Sequence, residues 1–117
     1  MKSIGIDLVE IKKIKKIGID KFVNRIFSPS EKVIYSQISN LKRKYSFIAG
    51  RLAAKEAIFK AFRKGNLKNN YSDWSILNDE KFGFPYVEGP LEEKKIMISI
   101  THTENYAVAF VILFVNL

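Results

Sequence analysis

The chain has 117 residues, of which 47% are hydrophobic and 13% aromatic, so we expect residues 1–117 to form a single domain with one core. The sequence has no cysteine and one histidine, His102, which excludes disulfide scaffolds, thiolate chemistry and metal sites built from several imidazoles. Residues 1–68 carry a net charge of +12 and residues 69–117 a net charge of −4, giving +8 for the chain. A basic half of this kind predicts an anionic partner.

The N-terminal part of the chain predicts a strand followed by two short basic helices. Residues 2–9 are rich in β-branched side chains and predict a strand that ends near Asp7. From Glu10 onward, isoleucines recur every three residues among lysines, which is typical of an amphipathic helix, and Gly18 ends it. We expect Asp20 to cap the second helix.

Two further helices are predicted from local signals. Ser28 and Glu31 have the spacing of a capping box, and Pro29 stands at the first helical position. Residues 41–64 predict one long helix with Gly65 as a stop signal.

The rest of the chain predicts strands. Strand signals cover residues 74–77, 81–87, 95–101 and 106–115, and the last two segments are expected to form a hairpin. One strand, then helices, then several strands indicate an α+β fold with an antiparallel or mixed sheet.

Neither a secretory signal nor a membrane span is predicted. Asp7 and Glu10 interrupt the apolar N-terminal segment. The longest apolar run, residues 106–115, is about half of the roughly 20 residues that a membrane-spanning helix needs. We therefore expect a cytoplasmic protein with no membrane partner.

Glu56 and Lys60 are four residues apart in the long predicted helix and therefore share one face. A Glu–Lys pair at this spacing is ordinarily a solvated surface pair. The alternative is a functional site, because small side chains around the charges would let a backbone or a ligand approach closely. These residues are Ala53, Ala54, Ala57 and Ala61.

Asp7 lies between Ile6 and Leu8, where a buried carboxylate needs a partner. One interpretation is a cap for the following helix. The other is a metal site shared with Glu56, since Mg²⁺ accepts one or two carboxylates and completes its coordination with water and phosphate oxygens.

His102 stands between Thr101 and Thr103 at the end of a predicted strand. A lone histidine in a turn is more often a structural or surface residue than a catalytic one. With the two threonine hydroxyls it makes a compact set of donors for phosphate, and phosphate contact is the role we favour.

Three segments together resemble one enzyme family. They read GIDLVEI at residues 5–11, AGRLAAKEA at residues 49–57 and SITHTENYA at residues 99–107. In this order they resemble the holo-acyl-carrier-protein synthases, the short single-domain branch of the 4′-phosphopantetheinyl transferases. The Lys-Glu-Ala core and the Ser-x-x-His-x-x-x-Tyr-Ala pattern are specific in combination, and the match spans nearly the whole chain.

The resemblance implies transfer of the 4′-phosphopantetheine arm from coenzyme A to a serine of apo acyl carrier protein, releasing adenosine 3′,5′-bisphosphate, in support of fatty acid biosynthesis. It implies that Asp7 and Glu56 bind Mg²⁺ and that Lys60 completes the catalytic set. The residues implied to bind coenzyme A are Arg51, Lys60, His102 and Thr103. The base for the serine proton is Glu56, a water or Lys60.

The resemblance also explains the basic half of the chain, since acyl carrier proteins are acidic. The residues expected to dock the carrier protein are Lys12, Lys13, Lys16, Lys21, Phe22, Arg25 and Ile26. A homotrimer with each active site between two subunits is implied as well. Lys13, Leu52 and Arg63 differ from the residues usual in the family.

The alternative function is a small nucleic-acid-binding module, because a basic chain with interleaved aromatic residues meets the first criterion for one. Residues 81–87 have some likeness to an RNA-recognition strand, but Pro85 would interrupt a central strand and this half of the chain is acidic. We therefore expect no nucleic-acid partner.

Overall fold

The computed structural model describes residues 2–63, 69–92 and 95–114. In chain order the elements are β1 (Ser3–Glu10), α1 (Ile11–Ile17), α2 (Ile19–Ile26), α3 (Pro29–Ser36), α4 (Leu41–Ala61), a 3₁₀ turn (Tyr71–Asp73), β2 (Ser75–Asn78), β3 (Pro85–Glu88), β4 (Ile96–His102) and β5 (Tyr106–Leu113).

Within the described ranges, the strands form two antiparallel sheets. β5 lies at the centre of a three-stranded sheet of order β1-β5-β4, and β2 pairs with β3. Helix α4 packs across β1 and β5 and forms the second layer. The α+β class and the β4–β5 hairpin are confirmed. The predicted strand over residues 106–115 is observed to Leu113, and residue 115 lies outside the described ranges.

β1 has an inner face toward α4 and an outer face away from it. Asp7 shares the inner face with the buried Ser3, Gly5 and Val9. The outer face of the strand is apolar and exposed, and its residues are Ile4, Ile6 and Leu8. A carboxylate inside and apolar residues outside reverse the usual pattern of a strand with one buried face.

β1 lies directly on the backbone of α4. A Cβ atom at Gly5 would stand 1.9 Å from the carbonyl oxygen of Ala57, and the Ser3 hydroxyl donates to the carbonyl oxygen of Ala61 at 2.7 Å. The fully buried Ala53, Ala57 and Ala61 permit this approach. The small side chains of α4 therefore allow a backbone to approach closely, and that backbone belongs to β1.

Local capping signals have different outcomes at two helices. The capping box of α3 is confirmed, because Ser28 Oγ accepts from the Glu31 N–H at 3.2 Å and the Glu31 carboxylate accepts from the Ser28 N–H at 2.9 Å. The prediction that Asp20 caps α2 is wrong. The helix begins at Ile19, and Gly18, whose φ of 109° suits glycine, takes the position before it.

Helix α4 begins where the sequence predicts, since Asn40 Oδ1 accepts from the Arg43 N–H at 2.9 Å. The helix ends at Ala61 rather than at residue 64, and residues 64 and 65 lie outside the described ranges. Among the described helices, none is both long and apolar enough to span a bilayer.

The segment predicted as a strand over residues 81–87 is mostly a turn. Asp79 Oδ2 accepts from the N–H groups of Lys81 at 3.1 Å and Phe82 at 2.7 Å, an arrangement typical of Asp in turns. β3 therefore begins only at Pro85.

Candidate active site

Asp7 and Glu56 are far apart in the sequence but line the same cavity. This cavity has a volume of about 620 Å³ and lies between the end of β1 and helices α1, α2 and α4. Lys13 and Arg25 contribute positive charge to its wall, and Tyr71 contributes a phenol. The structure thus brings Asp7 and Glu56 together with two cationic side chains at one concave site, which Glu10 also lines.

Lys60 holds Asp7 at the cavity wall. Lys60 Nζ lies 3.0 Å from Asp7 Oδ1 and donates to the carbonyl oxygen of Ile6 at 3.0 Å. The interpretation of Asp7 as a helix cap is wrong, because the N-cap position of α1 is occupied by Glu10, which makes no side-chain capping hydrogen bond. Asp7 instead stands beside a cation supplied by the last turn of α4.

Glu56 is half-buried on α4 and is bound by Tyr71. The Tyr71 hydroxyl donates to Glu56 Oε1, and the tyrosine ring packs on Phe59 with 5.1 Å between the ring centroids. In the described part of the chain, the salt bridge of Lys60 is with Asp7. The solvated Glu56–Lys60 pair suggested by the helical spacing is therefore replaced by two separate contacts.

Tyr71 is a site residue that sequence reasoning missed. The pKa of Tyr71 is raised to about 12, chiefly by burial and secondly by its hydrogen bond to Glu56. The phenol is therefore protonated and can donate at neutral pH. Tyr71 follows Glu56 by 15 positions, and no motif or periodicity in the sequence relates the two.

The donor set of the cavity suits a hard divalent cation. Asp7 and Glu56 both present carboxylate oxygens to it, and Mg²⁺ is ordinarily held by one or two carboxylates together with water and substrate phosphates. Across the described ranges, no three His, Asp or Glu side chains cluster as metal ligands. A cation here would therefore retain water or substrate oxygens among its ligands.

Arg51 lies elsewhere. Its guanidinium carbon is 3.9 Å from the centroid of the Phe47 ring, and Nη2 donates to Asn78 Oδ1 at 2.7 Å. Burial lowers the pKa of Arg51 to about 10. The side chain joins α4 to β2 and does not line the cavity of Asp7 and Glu56, so the structure does not bring these three residues together.

His102 and Thr103 line a second cavity, of about 480 Å³, at the end of the β4–β5 hairpin. The basic residues of this second cavity are Lys15, Lys42 and Arg43. Thr103 Oγ1 accepts from the N–H groups of Asn105 at 3.2 Å and Tyr106 at 3.1 Å, which closes the hairpin turn. Within one chain, His102 therefore lies beside basic side chains that suit a phosphate, and it lies apart from the carboxylates of Asp7 and Glu56.

The residues expected to dock a carrier protein mostly lie on the surface of α1 and α2. Those that are exposed are Lys12, Lys13, Lys16, Lys21 and Arg25. Phe22 is half-buried, and Ile26 is 1% exposed and belongs to the core. The expectation that Ile26 takes part in docking is wrong, because its side chain packs inward. Ile17, 49% exposed, is the apolar residue that α1 presents.

A second charged cluster, also missed by sequence reasoning, is buried behind Glu56. Lys55 Nζ donates to Glu31 Oε1 and to the carbonyl oxygen of Ile26, and both charged side chains are fully buried. The Glu31 carboxylate also accepts from the N–H groups of Ser28 and Ile76, each at 2.9 Å. The pair therefore ties α4 to α2, α3 and β2.

Sequence comparisons agree with one another. The model of the 4′-phosphopantetheinyl transferase superfamily matches residues 3–111. A protein of Onion yellows phytoplasma named holo-[acyl-carrier-protein] synthase is 53% identical over 96% of this chain and 93% of its own length. A protein of Acholeplasma laidlawii with the same name is 46% identical over 95% of this chain and 94% of its own length.

Solved structures share the fold. The holo-(acyl-carrier-protein) synthase of Bacillus anthracis, in complex with CoA (3′,5′-ADP), has a TM-score of 0.83 and 34% identity, covering 95% of this chain and 94% of that one. The Helicobacter pylori enzyme in complex with coenzyme A has a TM-score of 0.73 and 33% identity, covering 92% and 96%. By sequence, fold and the segments that carry its paired carboxylates, the chain belongs to the 4′-phosphopantetheinyl transferase superfamily.

Proposed function

We propose that the chain is a holo-acyl-carrier-protein synthase that moves the 4′-phosphopantetheine arm from coenzyme A to a serine of apo acyl carrier protein. The observation that carries the proposal is the meeting of Asp7 and Glu56 in one cavity beside Lys60. Support comes from relatives that bear this name and from a relative whose structure holds coenzyme A.

The reaction is a displacement at phosphorus. The serine hydroxyl oxygen forms a bond to the phosphorus that carries the pantetheine arm, the bond from this phosphorus to the bridging diphosphate oxygen breaks, and adenosine 3′,5′-bisphosphate leaves. Negative charge on the phosphate oxygens is the main feature that the site must stabilise.

Asp7 and Glu56 are the residues that would hold Mg²⁺, as their shared cavity and oxygen donors fit this ion. When bound, Mg²⁺ supplies a positive charge that stabilises phosphate oxygens. Lys60 provides a fixed cation one turn beyond Glu56 and keeps the Asp7 carboxylate in place. The serine proton is taken by Glu56, a water or Lys60, and we favour Glu56 or water because a lysine is ordinarily charged at neutral pH.

The basic surface of α1 and α2 is the proposed docking site for the acidic carrier protein. Its exposed cations, Lys12, Lys16 and Lys21 among them, lie next to the cavity that contains Asp7 and Glu56. A carrier protein bound there would bring its serine to the site, and complementary charge would speed the encounter.

We further propose a homotrimer with active sites shared between subunits. The outer face of the three-stranded sheet is apolar, and its exposed residues include Ile4, Ile6, Leu8, Met97 and Phe110. Such a patch is typical of an interaction surface. Shared sites would also explain why Asp7 and Glu56 line one cavity of a single chain while His102 and Thr103 line another.

Mass spectrometry of apo acyl carrier protein incubated with the chain, coenzyme A and Mg²⁺ tests the reaction. The native chain should add one phosphopantetheine, and Glu56→Gln should slow the transfer by about 100-fold or more, because it removes a charge that acts on the transition state. Glu88→Gln is the matched control, since Glu88 is exposed on β3 and lines neither cavity. Near-native transfer by Glu56→Gln would remove Glu56 from the site.

The docking surface is tested by reversing two of its charges. Lys12→Glu with Lys16→Glu should raise the KM for the carrier protein and leave coenzyme A binding nearly unchanged. Lys81→Glu with Lys95→Glu changes the net charge equally at exposed positions outside α1 and α2. Equal effects of the two double variants would contradict a specific docking surface.

Mixed assemblies test whether the sites are shared. Glu56→Gln and His102→Ala are each expected to be nearly inactive alone. In trimers formed by co-expressing the two variants in equal amounts, sites between subunits should regain about a quarter of native activity, because some interfaces join two intact half-sites. Activity no greater than the sum of the two variants would contradict shared sites.

A further inference from the structure

Tyr71 donates a hydrogen bond to Glu56 within the described residues, and the proposed reaction gives it no role. Its hydroxyl donates to Glu56 Oε1 from the cavity side of the helix. Asp7, which lines the same cavity, is paired with Lys60 instead. The two carboxylates therefore have different partners, a neutral donor for Glu56 and a cation for Asp7.

The phenol is anchored on both sides. Tyr71 opens a 3₁₀ turn in which the Asn70 N–H donates to Asp73 Oδ2 at 2.7 Å, and its carbonyl oxygen accepts from the N–H of the fully buried Trp74 at 3.2 Å. Its ring packs on Phe59, which belongs to the same helix as Glu56. The backbone and the ring thus hold the hydroxyl in place independently of the hydrogen bond itself.

We infer that Tyr71 is a positioning residue, which orients the Glu56 carboxylate for a divalent cation by occupying Oε1 and presenting Oε2. A glutamate side chain loses rotamer freedom when it binds a metal, and a fixed donor removes that freedom beforehand. A neutral hydroxyl does this while the negative charge of the Glu56 carboxylate stays available to attract the cation. A lysine in the same place would cancel that charge. The inference rests on the proposed role of Glu56 in holding Mg²⁺.

The experiment measures cation binding without turnover. Mn²⁺ is titrated into the protein with coenzyme A but no carrier protein, and free Mn²⁺ is followed by electron paramagnetic resonance, with coenzyme A alone as the blank. Tyr71→Phe keeps the ring on Phe59 and removes only the hydroxyl. We expect it to weaken Mn²⁺ binding by about tenfold, as loss of a hydrogen bond to a metal ligand commonly does, with an unchanged thermal unfolding midpoint.

Two variants make the result specific. Tyr35→Phe removes a hydroxyl from a tyrosine packed between Phe27 and Phe47, outside both cavities, and should bind Mn²⁺ as the native chain does. Glu56→Gln should lose most of the binding. In transfer assays, Tyr71→Phe should raise the Mg²⁺ concentration for half-maximal rate more than it lowers kcat at saturating Mg²⁺.

The outcomes separate this inference from the function on which it rests. If Glu56→Gln loses Mn²⁺ binding while Tyr71→Phe stays within twofold of native, the positioning role is wrong and the metal site stands. If neither variant changes binding, the assignment of Glu56 to the metal fails, and the positioning role fails with it. An equal loss in Tyr35→Phe and Tyr71→Phe would also overturn the inference.

Discussion

Lys55 and Glu56 are neighbours on α4, yet they belong to two opposite kinds of charged cluster. Lys55 is enclosed with Glu31, and backbone groups of Ile26, Ser28 and Ile76 complete the hydrogen bonding of the pair. Glu56 faces a cavity in which a phenol is its protein partner. The enclosed cluster, Lys55 and Glu31, has used its hydrogen-bonding capacity within the protein. The open cluster, Glu56 and Tyr71, retains capacity for a ligand.

The difference shows what burial does to charge. Desolvation lowers the pKa of Lys55, and the nearby Glu31 carboxylate opposes that shift. A buried ion pair of this kind contributes little compared with apolar packing, but each charge becomes costly once its partner is removed. We therefore expect the enclosed cluster to control stability and the open cluster to control activity.

The largest expected effect comes from breaking the enclosed cluster. Lys55→Met should lower the free energy of unfolding by about 3–5 kcal/mol, because Glu31 would be left charged and buried without a cation. Urea unfolding followed by circular dichroism measures the loss. The double variant Lys55→Met with Glu31→Gln should recover part of it, since neither charge remains. No recovery would show that the cost arises from packing alone.

A smaller effect comes from moving the strand that carries Asp7. Gly5→Ala should lower the free energy of unfolding by about 1–3 kcal/mol through overpacking, because the new Cβ would meet the Ala57 carbonyl oxygen. Transfer activity should fall too, as Asp7 shifts relative to α4.

Gly50 provides the matched control for that variant. A Cβ at Gly50 would make an ordinary contact, 3.5 Å from the Ile100 side chain. Gly50→Ala should therefore raise the free energy of unfolding by about 0.5–1 kcal/mol, as expected in a helix interior. If both glycine variants destabilise the protein equally, close approach of β1 and α4 is not the cause.

The smallest expected change in stability is at the open cluster. Glu56→Gln should alter the free energy of unfolding by less than about 0.5 kcal/mol, because Glu56 is half-buried and the amide oxygen can still accept from Tyr71. The urea midpoints of the native chain and the variant measure this. A destabilisation close to that of Lys55→Met would contradict the expectation that the enclosed cluster controls stability and the open cluster does not.

Features governed by local sequence were largely predictable. The Ser28–Glu31 capping box and the β4–β5 hairpin depend on residues close in the chain. The pairing of Asp7 with Glu56 was one of two interpretations that residue chemistry left open for Asp7, and the resemblance of two segments to a known family favoured it. No periodicity places them together, since a residue on β1 and one on α4 meet only through the tertiary fold.

What could not be predicted depends on long-range burial of charge. A lysine on a helix is ordinarily exposed, so Lys55 gave no sign that it is enclosed with Glu31, 24 positions away. Arg51 matched a family motif, but whether it faces a cavity or packs on Phe47 depends on how β2 lies against α4. No motif in the sequence around Tyr71 indicates that its hydroxyl contacts Glu56.

The difference between the inner and outer faces of β1 has a consequence for the register in which it pairs with β5. A slip of one residue against β5 would turn Asp7 outward and press Ile6 and Leu8 onto the helix. It would also replace Gly5 at the tightest contact with a side chain that does not fit there. Mispaired molecules would then lack both the carboxylate in the cavity and the apolar outer face. The association proposed for that face would therefore favour chains with the correct register.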